Sequence, residues 1–138
     1  MKISVKDGSS YFRGMLLLIR EDRILREPEI EMMKRIGKAL GFEKGFCDNA
    51  IQDALDNPFI PESPPEFTSQ ESAKRFIKDG LTLAIADDEI HPLEEEWLKR
   101  IAESNGIDVT WLNHERESVA NRRERPVLLE VDDMTVEY

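Results

Sequence analysis

Apolar positions recur at helical spacing along most of this chain, and the same plan is written twice. Tyr11 to Arg20 is apolar nearly all round, the pattern of a helix enclosed on every side. Asp22-Arg-Ile-Leu-Arg-Glu27 interrupts it, and Pro28 suits the first turn of a second helix. That helix carries Ile30, Met33, Ile36 and Leu40 on one face, with Glu31, Lys34 and Lys38 outward. Gly41 stands where a left-handed residue closes a helix. A third helix places Phe46, Cys47, Ala50, Ile51, Ala54 and Leu55 at the same spacing.

The second half repeats the first. Gly14, Leu17, Ile19, Asp22 and Ile24 recur as Gly80, Leu83, Ile85, Asp88 and Ile90. After a one-residue slip, Glu29, Glu31, Lys34, Arg35, Ile36 and Gly41 recur as Glu94, Glu96, Lys99, Arg100, Ile101 and Gly106. Thr68 or Ser69 is placed to cap a helix running to about Ala86, with Glu71 positioned for a capping box. Pro92 opens the next helix, with Leu93, Trp97, Leu98 and Ile101; Asp108 caps a last one through Val109, Leu112 and Val119. Trp111 answers Phe46 in the repeat.

Between the halves, Asn57 to Ser69 holds four of the seven prolines and reads as a semi-rigid crossover. Beyond residue 121 the pattern changes: Val127 to Val131 reads as a short strand, and Ile3 and Val5 alternate near the other end. The two ends can pair; disordered ends, or a tail added to a partner's sheet, are the alternatives. The expectation is one all-α domain over 1–138, a bundle of about six to seven helices in two pseudo-twofold related halves. Repeat one spans about 9–56, the crossover 57–69, repeat two about 70–121 and the tail 122–138.

Composition narrows the function classes. A length of 138 residues and 40% apolar content suit one soluble domain with a real core. The net charge of -10 argues against nucleic acid, which demands a basic stripe, and against anionic membrane surfaces. A cation, or a basic patch on another protein, is the more natural complement; self-association is a further partner expectation. Cys47 is the single cysteine and reads as a buried small hydrophobe. The longest apolar run, Met15 to Ile19, is far too short to span a bilayer, and the start lacks a signal-like apolar stretch. A soluble, cytoplasmic protein is expected.

The two interruptions, here called elbows, hold the densest potential ligands. Elbow one offers Glu21, Asp22, Glu27 and Glu29; elbow two offers Asp87, Asp88, Glu89, His91, Glu94 and Glu95. Clustered carboxylates suit a hard divalent cation such as calcium, and His91 draws elbow two towards zinc or manganese. Helix capping explains the same acids, because carboxylates in a first turn satisfy free N–H groups and complement the helix dipole. Glu94 fits that role. An EF-hand is excluded: counted from Asp87 or Asp88, its glycine position holds Pro92 or Leu93, and its twelfth position Leu98 or Lys99. His114 lies on a polar stretch, and two histidines far apart give a nucleophile triad no support. Trp97 and Trp111 read as core or interface anchors.

Buried helix, Asp, plug isoleucine and an acid-rich helix ending in glycine, present twice in register, resembles the TerB-like family over roughly Tyr11 to Asn121. That family includes tellurite-resistance TerB proteins and the N-terminal domain of DjlA co-chaperones. The resemblance implies an all-helical bundle of two related halves, a bacterial cytoplasmic setting and a role in metal or oxyanion stress. It carries over to Asp22 and Asp88, then to Glu29 and Glu94. Arg23 and Glu89 stand where the family elbow commonly has glycine, and His91 where it has a hydroxyl cap. The function expected is a non-enzymatic acidic module that binds a divalent cation, a protein partner, or both. The alternatives are a structural scaffold or homodimer whose elbows are only caps and, ranked last, a metal-dependent hydrolase.

Overall fold

The structure is a computed structural model, and it describes residues 2–21, 27–57, 63–85, 90–121 and 129–137. Six α-helices lie among the described residues: α1 (Val5–Arg20), α2 (Glu27–Ala39), α3 (Lys44–Asp56), α4 (Gln70–Ala84), α5 (Pro92–Ser104) and α6 (Val109–Asn121). β1 (Lys2–Ser4) and β2 (Thr135–Glu137) form a parallel pair in which Ile3 faces Val136 across the ladder. The all-α bundle with paired ends is the fold expected. None of the described helices is long and apolar enough to cross a membrane.

The repeat is visible element by element. The helices α2 and α5 begin 65 residues apart, at Glu27 and Pro92, and α3 and α6 do the same, at Lys44 and Val109. Both second helices end at a glycine with positive φ, 85° at Gly41 and 69° at Gly106, a conformation that any Cβ makes costly. Their preceding carbonyls are closed by the following backbone, as Phe42 N–H donates to Gly37 O and Ile107 N–H to Ala102 O.

The core forms around α1 and α4. Tyr11, Met15, Leu18 and Ile19 of α1, with Phe76 and Ile77 of α4, have no solvent exposure. From the flanking helices, Met33, Ile36, Trp97, Leu98 and Ile101 are equally enclosed. At the repeat glycine Gly14 the two halves meet closely. A Cβ there would lie 2.7 Å from Phe76 Cζ and 3.0 Å from Pro65 Cγ, and the Trp97 indole N–H donates to its carbonyl at 3.2 Å. Cys47 is buried, as expected, against Gly37; burial first, and the Asp48 charge second, push its thiol up.

Several expected details change. Phe46, Leu93 and Val109 are 54%, 50% and 38% exposed although they continue the apolar pattern. Each lies in the first turn of its helix. Ser69, not Thr68, caps α4 through Ser72 N–H. Glu71 therefore falls one position short of a capping box and pairs with Arg75 instead. The ends do pair, but the strand is Thr135–Glu137; Leu129 and Val131 plug the core beside the 3-10 turn Glu130–Asp133. Val5 starts α1 rather than extending β1, because Ser4 caps the helix by accepting from Asp7 N–H.

The crossover is tied down over its described part. Asp7, 2% exposed, accepts from the Thr68 N–H and hydroxyl. Asn105 donates to Pro65 O and accepts from Phe67 N–H, both at 2.9 Å.

Two glycines predict opposite outcomes in chemical denaturation. Gly14→Ala should cost about 1–3 kcal/mol by overpacking against Phe76. Gly45→Ala, in α3 with open space around its Cβ, should gain about 0.5–1 kcal/mol through helix propensity.

Candidate functional site

The elbow acids divide into those the structure describes and those it does not. Asp22, Asp87, Asp88 and Glu89 lie outside the described residues, as do the plug Ile24 and the substituted positions Arg23 and Glu89. Glu29, His91 and Glu94 are described. Glu29 and Glu94 occupy the same position in the first turns of α2 and α5 and are 3% and 2% exposed. Two carboxylates held so deeply at repeat-related places are unusual, since an ionised acid loses hydration on burial.

Local geometry gives His91 and Glu94 a definite job. Leu93 N–H donates to His91 Nδ1, and His91 N–H donates to Glu94 Oε1, both at 3.1 Å. This reciprocal cap satisfies backbone donors that helix geometry leaves free. A neutral imidazole accepting at Nδ1 carries its proton on Nε2. A metal at either nitrogen therefore competes with the cap. Glu95 is also engaged, through Arg116 of α6 at 2.7 Å. In elbow one, Glu21 N–H closes α1 on Leu18 O at 3.2 Å. Among the described residues, no three His, Cys, Asp or Glu side chains converge on a point where they would hold a metal ion.

A strongly perturbed pair lies away from the elbows, at Asp79 and Tyr11. Asp79 of α4 is 1% exposed. Its carboxylate accepts the Tyr11 hydroxyl of α1, the Glu130 N–H at 2.6 Å and the Val131 N–H at 2.9 Å. Burial pushes Asp79 up to about 7; the three hydrogen bonds pull the other way, and the Glu130 carboxylate adds to the rise. Burial likewise holds Tyr11 well above the usual phenol range, reinforced by Asp79 and Glu130 and opposed by Arg75. A signal was present: Asp79 stands directly beside the repeat glycine, inside the apolar run of α4, while repeat one has the exposed Arg13 at that place.

Beside it runs a groove of about 380 Å³ lined by Gln70, Glu71, Lys74, Arg75, Lys78, Trp111 and Glu130. Its cations are largely answered from within. Arg75 pairs with Glu71 and Glu130, Lys78 lies 3.9 Å from Glu130, and Lys74 sits 5.3 Å over the Trp111 ring. Trp111 is thus a half-buried wall, whereas Trp97 is core. His114 is exposed, as expected.

The capping assignment predicts that His91→Ala lowers stability by about 1 kcal/mol in denaturant titration. His91→Asn, which can still cap, should restore most of it; failure of Asn to rescue would contradict capping as the role of His91.

Compared with protein-family models, with curated proteins and with solved structures, the chain gives no match.

Proposed function

We propose that this chain is a non-catalytic, TerB-like helical binding module whose two acidic elbows face its ligand, a divalent cation, a protein partner or both. The observation that carries this reading is the repeat-related burial of Glu29 and Glu94, one at the exit of each elbow. Both halves keep a carboxylate at low exposure in the helix turn that follows the elbow, a placement that favours positive charge arriving from outside. The net charge of -10 supports the same partner chemistry.

One observation favours a second reading, a structural scaffold or homodimer with elbows as caps. The His91–Glu94 cap accounts for two elbow-two side chains without any ligand.

Thermal melts with calcium, manganese and zinc separate them. Under the cation reading at least one ion raises Tm, and a ligand at about 100 times its Kd adds about 2.7 kcal/mol of stability. Asp22→Ala combined with Asp88→Ala should abolish that rise. Absence of a shift with all three ions contradicts the cation reading. Concentration-independent monomer behaviour in sedimentation counts against the scaffold or dimer.

A further inference from the structure

We infer that the segment Leu129–Glu137 is a latch whose grip on the bundle is set by the protonation of Asp79, tightening as the solution is acidified. The segment lies over the α2 and α4 side of the bundle, held by core plugs, ion pairs and a short ladder. Leu129, Val131 and Met134 enter the core at 4%, 0% and 5% exposure. Arg35 of α2 pairs with Asp132 at a half-exposed site, and β2 contributes a three-residue ladder to β1. Arg75 and Lys78 of α4 pair with Glu130, and beside them Asp79 receives the N–H groups of Glu130 and Val131 where the 3-10 turn begins.

Seating the latch lays the Glu130 and Val131 backbone against the Asp79 carboxylate. Seated, its carboxylate trades water for three donors; lifted, it regains water. The groups facing it are Tyr11 from α1, Arg75 from α4 and Glu130 from the 3-10 turn. Lys78 of α4 reaches Glu130, and Arg35 of α2 reaches Asp132.

A proton has a place to go. The Tyr11 oxygen also lies 3.3 Å from the Arg75 carbonyl. With a proton from solvent on its Oδ2, Asp79 donates to Tyr11, and Tyr11 turns its own proton to Arg75 O. Oδ1 keeps the Glu130 N–H, so the arrangement survives, while both N–H bonds lose the charge of the ion and weaken. The seated form therefore tolerates the neutral acid and penalises the ion. Burial dominates that balance, placing the seated carboxyl near 7, above its ordinary value of 3.8. A raised value means that the seated form binds the proton more tightly than the lifted form. The grip is full below the ordinary value, weakens as pH rises towards about 7, and levels off above it.

Amide hydrogen exchange on the whole chain, with intrinsic rates divided out, tests this. The Glu130 and Val131 amides should be less protected than those of Leu98 and Ile101 in α5. Their protection should fall between about pH 5 and 7, by at most about tenfold per pH unit. Asp79→Asn should flatten that slope while keeping both histidines, which separates their titration from that of the carboxyl. Arg35→Ala should lower the protection at every pH without moving the window. Should Asp79→Asn not fold, the ¹³C shift of the Asp79 carboxyl in the natural chain decides, with a midpoint near 7 expected. A midpoint near 4, a flat or rising profile, an unchanged slope in Asp79→Asn, or exchange of the latch only together with α5 would each overturn the inference.

Discussion

Helix α1 has Tyr11, Met15, Leu18 and Ile19 at zero exposure on successive turns, and its own half supplies only part of the enclosing surface. The second half completes it. Phe76 of α4 packs edge-on against Tyr11, and Trp97 of α5 donates to the Gly14 carbonyl. Asp7 and Tyr11 spend their polar groups on Thr68 and Asp79, again across the repeat. Each large apolar side chain so enclosed contributes about 1.5–3 kcal/mol. The ordering entropy of either half alone is therefore not offset until both halves are present.

That dependence accounts for several otherwise separate features. The repeat glycine on α1 lets Phe76 approach where no Cβ fits. The described crossover is held by Asp7 and Asn105, one residue from each half. The β1–β2 ladder joins the strand beside α1 to the segment that follows α6. Asp79 extends the same logic by linking α1, α4 and the 3-10 turn through one buried carboxylate. Such a network helps to specify one arrangement, and it places an ionisable group where burial is costly.

The architecture was largely legible because helical periodicity and a duplicated pattern are local signals. The equal offsets of α2 to α5 and α3 to α6 are the sequence repeat made visible. What escaped was set by distant partners. β2 is three residues long with a half-buried Val136, too short for a period-two signal, while Leu129 and Val131 before it are core plugs and Val127 and Leu128 of the expected strand lie outside the described residues. The apolar first-turn residues Phe46, Leu93 and Val109 followed the period but not the core's edge. Of the candidate site, the first-turn role of Glu94 was legible from its place in the helix, whereas its reciprocal cap with His91 emerged with the geometry and Asp79 gained its meaning only once the 3-10 turn lay against α4. The aspartates of both elbows lie outside the described residues, so their chemistry rests on the sequence pattern.

The central claim is that neither half of the repeat folds without the other, and separate expression of residues 1–62 and 63–138 tests it most directly. Two-dimensional ¹H–¹⁵N spectra of each piece alone should show collapsed, poorly dispersed amides, and mixing the two should restore the dispersed spectrum of the intact chain. A well-dispersed spectrum from either piece alone would contradict it.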